Sequence, residues 1–214
     1  MKKIILASAS PRRKEILEIT GLSFSVCDSE YEEDLDLPLK PHKLARFLSL
    51  KKAEAVAHQY RDAIIIAADT FIYFKNRLLG KPQSGEEAEK MLRLLNGKVH
   101  SVITGFTVMD TESDQVASRS EVTKVYFKKL TGEEIKAYVR SGEPLDKAGA
   151  YAVQGLGAVF IEKIDGDFFN VMGLPLCALT ESLKKFGVHV LNERVQGFKG
   201  ARYQGKNQWH APDY

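Results

Sequence analysis

The feature that most constrains the fold is the apolar run from Ala63 to Ala68, which contains three consecutive isoleucines. Such a run is typical of a strand that is buried on both faces, as in sheets covered by helices on both sides. The run from Ile4 to Ala7 has the same character. Between the two runs, a segment that begins at Pro41 carries apolar residues at helical spacing. The pattern therefore predicts an α/β fold.

Asp69 directly follows the longer apolar run. In open α/β sheets, ligands bind at the carboxyl ends of the strands, so an acidic residue here is a candidate metal ligand or a base for water. The alternative is a turn-forming aspartate that caps backbone amides. We favour a functional role because the predicted strand ends at this residue.

The segment from Ser8 to Arg13 connects the first predicted strand to a helix. Ser10 is the expected N-cap, and Pro11 suits the first helical position. Arg12 and Arg13 follow in the first turn, where the helix dipole disfavours cations. Free N–H groups, serine hydroxyls and two guanidinium groups together suit a phosphate group. The alternative is a solvated basic turn.

Residues 28–36 form a strongly acidic segment that includes Glu32 and Glu33. It is either a solvated loop or a source of one or two ligands for a divalent cation, because Mg²⁺ prefers oxygen ligands that it shares with phosphates. Lys52, on the helix that begins at Pro41, becomes relevant only if the fold turns it toward the two arginines. Lys81 lies between a glycine and a proline, which limits its backbone freedom.

Several local patterns predict further structure. Asp165-Gly166 predicts a hairpin between strands at 158–164 and 167–172. Ser84 with Glu87 and Thr131 with Glu134 predict capping boxes at the starts of two helices. Between residues 146 and 157, Gly149, Gly155 and Gly157 permit close backbone approach to a ligand.

Length and composition set further bounds. The chain has 214 residues, 44% of them hydrophobic, which is enough for a substantial core. We expect a folded domain over residues 1–191 and a flexible tail over residues 192–214, where periodicity disappears. The two cysteines are distant in sequence and indicate neither a disulfide framework nor a zinc site.

The charge distribution and the hydropathy indicate which classes of binding partner to expect. The formal net charge is +3, and residues 192–214 hold four basic and two acidic residues, so the rest carries only +1. We therefore expect no nucleic-acid partner. No window approaches about 18 uninterrupted apolar residues, and no signal peptide is apparent, so we expect no membrane partner and a cytoplasmic location.

Five motifs occur in one order along the chain: the segment Ser8–Arg13, Ala68-Asp69-Thr70, Gly80-Lys81-Pro82, residues 146–151 with Gln154-Gly155, and Val171–Pro175. Together they resemble the Maf family of nucleotide pyrophosphatases, over about residues 3 to 190. The resemblance implies an α/β fold of the Maf/ITPase-like type, with an elongated mixed β-sheet flanked by helices and two lobes with a central cleft. It also implies a homodimer.

The resemblance further implies hydrolysis of a nucleoside triphosphate to the monophosphate and pyrophosphate with a divalent metal cation, Mg or Mn. By its position in the motifs, Asp69 matches the general base. The positions that match phosphate-binding residues are Ser8, Arg12, Arg13, Lys52 and Lys81. The positions that match the metal site are Glu33, Glu32 and Asp69.

Arg12, Thr70 and Gln154 match the family's dTTP and UTP pyrophosphatases, whereas the 7-methyl-GTP group has Trp, Gln and Glu at these positions. A neutral amide at position 154 can both donate to and accept from a uracil or thymine edge. Modified pyrimidine nucleotides are further candidate substrates. Two alternatives stay open: a preference for 7-methyl-GTP, and a role in regulating septum formation through nucleotide or partner binding.

Overall fold

The computed structural model describes residues 2–191, and the predicted tail lies outside the described residues. Within this part of the chain, seven strands form one sheet. The strands are β1 (Lys3–Ala7), β2 (Ser25–Cys27), β3 (Ala63–Phe74), β4 (Arg77–Leu79), β5 (Val99–Asp110), β6 (Val116–Phe127) and β7 (Ile161–Asp165). The six α-helices are α1 (Pro11–Glu18), α2 (Pro41–Ala57), α3 (Gly85–Leu95), α4 (Gly132–Arg140), α5 (Phe168–Met172) and α6 (Leu176–Lys184).

The strand order is β2-β1-β3-β5-β6-β7, and β4 pairs with β3 outside this path. Strand β1 runs parallel to both β2 and β3, whereas all the other pairs are antiparallel. The long antiparallel strands β3, β5 and β6 extend the sheet well beyond its parallel part. The prediction of an elongated mixed sheet flanked by helices is therefore confirmed.

Alternating side chains of β1 and β3 are buried on opposite faces of the sheet. Ile64 and Ile66 belong to a core cluster with residues of α1 and α6, whereas Ile65 packs with Ala53 and Val56 of α2. All three isoleucines are fully buried, and each contributes about 1.5–3 kcal/mol relative to exposure. The apolar run thus has the two-sided burial that its sequence predicts.

A separate cluster forms at the other end of the sheet. Leu92 of α3 and Ile135 of α4 pack there with Val102 and Val125 from β5 and β6. This second group of helices and the group around α1 and α6 form two lobes, with a cleft between them.

Strand β3 differs from the prediction at its far end. The strand continues through Asp69 to Phe74, because its second half pairs with β4 and β5. Its pairing with β1 ends at Ala7 and Ala67. Asp69 therefore lies just beyond the carboxyl end of the parallel region, although it does not end the strand itself.

The predicted hairpin after residue 158 is wrong in its second half. Residues Phe168–Met172 form helix α5, and the Asp167 carboxylate accepts a hydrogen bond from the backbone N–H of Phe169, which caps the helix. This local cap favours a helix over a second strand. Only Ile161–Asp165 forms a strand, and it pairs with β6.

The predicted helix caps are present in part. Thr131 and Glu134 form a complete capping box. Ser84 accepts from the N–H of Glu87, but the Glu87 carboxylate accepts from the N–H of Gln83 instead of completing the box. At α1, Pro11 occupies the expected position, whereas the Ser10 side chain makes no capping hydrogen bond.

Candidate active site

A cleft of about 440 Å³ lies between the two lobes, where the parallel part of the sheet ends. A volume of this size suits a small-molecule ligand. The cleft is lined by most of the residues that the sequence singles out: Ser8, Arg12, Arg13, Glu33, Lys52, Asp69, Thr70 and Lys81. Motifs that are far apart in the sequence thus converge on one site.

Two predicted site residues, Glu32 and Gln154, do not line this cleft. Both are exposed, and each is adjacent in sequence to a lining residue, Glu33 and Val153 respectively. Both residues are therefore neighbours of the cleft lining in sequence, without being part of it.

Lys52 joins two carboxylates in the cleft. Its Nζ donates to Oδ1 of Asp69 at 2.6 Å and also contacts Oε1 of Glu33. Asp69 is 2% exposed and Lys52 is 7% exposed, so the central pair is removed from solvent. Helix α2 thus brings Lys52 into the cleft that Arg12 and Arg13 also line, as a role in the site requires.

The environment separates the pKa values of the two carboxyl groups. Burial raises the pKa of Asp69, and the Glu33 charge acts in the same direction, whereas Lys52 and Arg13 oppose this shift. Partial burial alone would raise the pKa of Glu33, but the attraction of Lys52, hydrogen bonds and Arg13 lower it below its ordinary value. Asp69 is therefore the better proton acceptor of the two.

Arg13 connects three segments of the chain across the site. Its Nε donates to the carbonyl of Gly173 at 2.8 Å, and its Nη1 and Nη2 donate to the hydroxyls of Ser8 and Thr70, each at 3.1 Å. The Thr70 hydroxyl also lies 2.9 Å from that of Thr104. Burial lowers the pKa of Arg13. A guanidinium remains charged even so, and these contacts hold it in one orientation beside the cleft.

Lys147 is a lining residue that the sequence analysis did not single out. Its side chain is only 15% exposed, and its ammonium contacts the Asp146 carboxylate. Lys147 belongs to the motif at residues 146–151. Its place in that motif was the sequence signal that could have identified it as a site residue. With Arg12, Arg13, Lys52 and Lys81 it makes five cationic side chains that line the cleft.

Tyr151, the last residue of the same motif, also lines the cleft and was missed. Its hydroxyl lies 2.8 Å from Nε2 of the buried His100. Phe127 packs edge-on against both rings. The histidine and phenylalanine thus fix the tyrosine ring in the wall of the cleft.

The close approaches expected of the glycines after residue 146 are made to side chains of the protein itself. A Cβ at Gly149 would lie 2.2 Å from Cδ1 of Ile72, and a Cβ at Gly155 would lie 2.6 Å from Oε2 of Glu143. At both positions, close packing against a side chain of the protein itself explains why a glycine is required.

Asp69 and Glu33 are two carboxylates of the cleft that could hold a divalent cation between them. Oδ2 of Asp69 is buried without a hydrogen-bond partner, and the Glu33 carboxylate is its acidic neighbour across Lys52. Residues 2–191 contain no group of three or more His, Cys, Asp and Glu side chains placed to bind a metal ion. Phosphate and water oxygens would therefore supply the remaining ligands, as is usual for Mg²⁺.

No helix within residues 2–191 is both long and apolar enough to cross a lipid bilayer.

Known proteins similar in sequence cover most of this chain. Proteins named dTTP/UTP pyrophosphatase from Methanosarcina barkeri and Bacillus cereus are 53% and 47% identical over 194 and 190 residues. These alignments cover 90% and 89% of this chain, and 98% and 93% of the two relatives. Among solved structures, the Staphylococcus aureus Ham1 protein aligns over 87% of this chain and 100% of its own, with 13% identity and a TM-score of 0.46. The profile of the family described as Maf-like protein matches residues 3–186, and the chain therefore belongs to the Maf family.

Proposed function

We propose that this protein hydrolyses dTTP and UTP between the α and β phosphates, giving the nucleoside monophosphate and pyrophosphate. The observation that carries the proposal is the buried Asp69 carboxylate in a cleft lined by five cationic side chains. Such a cleft suits a polyphosphate, and its one deeply buried acid is suited to activate water. The names of the relatives supply the substrate class.

In the proposed reaction, Asp69 accepts a proton from the attacking water. The water oxygen forms a bond to the α phosphorus, and the bond from that phosphorus to the bridging oxygen breaks. The electron pair leaves with the pyrophosphate. The raised pKa of Asp69 favours this proton transfer, because a carboxylate that binds a proton more readily is a stronger base.

The cationic side chains bind and orient the triphosphate. The Lys52 ammonium has three N–H donors, of which Asp69 and Glu33 engage two, so one remains for a phosphate oxygen. Arg12, Arg13 and Lys81, with the Ser8 hydroxyl, supply the other predicted contacts. Together they offset the negative charge of the substrate and of the leaving group.

Asp69 and Glu33 would hold the divalent cation, Mg²⁺ or Mn²⁺, with Glu32 as a further predicted ligand that lies outside the cleft lining. When bound, the cation would offset phosphate charge and polarise the reacting oxygens. Asp69 and Glu33 fit this role because Lys52 holds the two carboxylates together at the cleft and Asp69 has a buried oxygen without a hydrogen-bond partner.

We propose that Arg12, Thr70 and Gln154 select the base. The Thr70 hydroxyl is held by Arg13 and Thr104 at the cleft. Gln154 follows the lining residue Val153 and offers both a donor and an acceptor. An amide that can both donate and accept a hydrogen bond matches the donor and acceptor groups on the edges of uracil and thymine. The cytoplasmic location and the homodimer stay predictions.

The proposal is tested by identifying products from dTTP, UTP, CTP, GTP and 7-methyl-GTP with Mg²⁺ or Mn²⁺. We expect dTMP or UMP with pyrophosphate as the co-product, and loss of turnover in Asp69→Asn. The matched control is Glu133→Gln, because the Glu133 side chain on α4 is 81% exposed. Release of single phosphates would contradict the reaction, and a preference for 7-methyl-GTP would contradict the base selection. Turnover of none of these nucleotides would favour a regulatory binding role.

A further inference from the structure

Glu143 does not line the cleft, yet its carboxylate holds the chain segment that carries Gln154. It begins a short 3-10 helix, Glu143–Asp146, that follows α4. Its Oε2 accepts the backbone N–H of Leu156 at 2.9 Å, and its Oε1 accepts that of Gly157 at 3.0 Å. The carboxylate thus binds the chain two and three residues after Gln154.

Tyr138 of α4 holds the same segment on its other side. Its hydroxyl accepts the backbone N–H of Ala152 at 3.2 Å and donates to Oε1 of Glu143 at 2.8 Å. The tyrosine ring is fixed by Phe160, with ring centroids 4.6 Å apart. Gln154 therefore lies between two anchored stretches, at Ala152 and at residues 156–157, and both anchors end on the Glu143 carboxylate.

Two glycines, Gly155 and Gly157, let the backbone pass close to the Glu143 and Tyr138 side chains. Gly155 has a φ of 104°, and a Cβ there would lie 2.6 Å from Oε2 of Glu143. A Cβ at Gly157 would lie 2.6 Å from both the Ala152 carbonyl oxygen and the Tyr138 hydroxyl. Any side chain at either position would push the segment away from its anchors, so the glycines and the carboxylate act together.

The Glu143 carboxylate is ionised in this setting. Partial burial would raise its pKa, but the N–H groups of Gly157 and Leu156 and the Tyr138 hydroxyl outweigh that effect and lower it. Three donors to one charged group make stronger hydrogen bonds than neutral pairs do. They fix a segment that otherwise has little regular structure around Gln154.

We propose that Glu143 is a positioning residue that sets the place of Gln154 and thereby contributes to the choice of base. The inference rests on the proposed function, because it assigns a role to Glu143 only through base selection by Gln154. Glu143 touches neither the substrate nor the reacting atoms in this proposal. Its effect is to reduce the conformational freedom that Gln154 would lose on binding a pyrimidine.

The test compares kcat/KM for UTP and CTP, which share the ribose and the triphosphate and differ only at the base edge. The ratio of the two values therefore reports base selection alone. The variants are Glu143→Ala, Gln154→Ala and the double variant, with Glu133→Gln as the exposed control. We expect Glu143→Ala and Gln154→Ala each to lower the ratio about tenfold, and the double variant to lower it no further than Gln154→Ala.

Tyr138→Phe is the second variant, and it keeps the ring contact with Phe160 while removing the hydroxyl. We expect it to lower the ratio about threefold, even if Glu143→Ala folds poorly. An unchanged ratio in Tyr138→Phe and Glu143→Ala, with both substrates slowed equally, would overturn the inference and leave the proposed function intact. Additive effects in the double variant would overturn it as well. A wild-type protein that hydrolyses neither nucleotide would refute the proposed function itself.

Discussion

The ammonium nitrogen of Lys52 lies 2.6 Å from Oδ1 of Asp69, and both side chains are buried. Helix α2 supplies the lysine and strand β3 supplies the aspartate, so the pair connects one face of the sheet to the cleft. A buried charge that loses its partner is costly, whereas a buried pair replaced as a whole often is not. The stability of the protein and the chemistry of the site therefore depend on the same contact.

Lys52→Met should destabilise the protein by about 3 kcal/mol, because it leaves the buried Asp69 carboxylate without its cation. Lys52→Met combined with Asp69→Leu should regain part of this loss. The measurement is urea unfolding followed by circular dichroism. The control is Lys51→Met, because the neighbouring Lys51 is partly exposed and pairs only with Glu54 among the described salt bridges. A double variant that is less stable than Lys52→Met would refute this account of the pair.

Arg13→Lys should reduce kcat/KM for the nucleotide about 10- to 100-fold, because a lysine cannot reach Ser8, Thr70 and Gly173 together. Pyrophosphate release under subsaturating substrate gives the value directly. Lys14→Gln is the matched control, since Lys14 is the next residue on α1 and its side chain is 56% exposed. Equal activity of Arg13→Lys and Lys14→Gln would show that charge alone suffices at position 13.

His100 should make the protein sensitive to mild acid. Burial lowers its pKa from 6.5 to about 4, and Nδ1 has no hydrogen-bond partner. The folded state therefore disfavours the protonated form, so stability is full above the unfolded pKa and falls as the pH drops from about 6.5 to about 4. The loss due to this group should reach about 2–3 kcal/mol at pH 4.

His100→Gln removes this titration and can keep a hydrogen bond to Tyr151. Its unfolding free energy should therefore fall less than that of the wild type between pH 7 and pH 4, measured by urea unfolding at each pH. His58→Gln, at an exposed position, should follow the wild-type curve. If the unfolding free energies of wild type and His100→Gln fell in parallel with pH, the buried neutral histidine would not be the cause of the acid sensitivity.

Asp110 should contribute stability that is lost only in strong acid. Hydrogen bonds from Lys2 lower its pKa to about 2, and the N–H of Glu112 and the Ser113 hydroxyl act in the same direction. The contribution is present above the ordinary pKa of 3.8 and disappears as the pH falls toward 2. Asp110→Asn should cost about 1 kcal/mol at pH 7, and most of this cost should be gone at pH 2.

The matching measurement is thermal unfolding at pH 7 and pH 2. The difference in Tm between wild type and Asp110→Asn should be much smaller at pH 2 than at pH 7. Asp114→Asn in the same β5–β6 turn is the control, because Asp114 is exposed. A Tm difference at pH 2 as large as that at pH 7 would mean that Asp110 acts through packing instead of charge.

The sequence alone determined the fold class and much of the site. The apolar runs at Ile4–Ala7 and Ala63–Ala68 specified strands buried on both faces, because side-chain burial follows short-range periodicity. The arginine turn at Arg12 and Arg13 and the acid at Asp69 were identified from their places at element boundaries. These features depend on few neighbouring residues, so a linear pattern is enough to reveal them.

The tertiary structure decided which of these groups meet. The contact of Lys52 with Asp69 and Glu33, the link from Arg13 to Gly173, and the anchoring of the Gln154 segment by Glu143 all join residues from different elements. Strand register and helix packing set those distances, and both arise from the whole core. Local patterns do not encode them. The helix at Phe168–Met172 is a different case, because its cap at Asp167 is local and the Asp-Gly turn signal was given more weight.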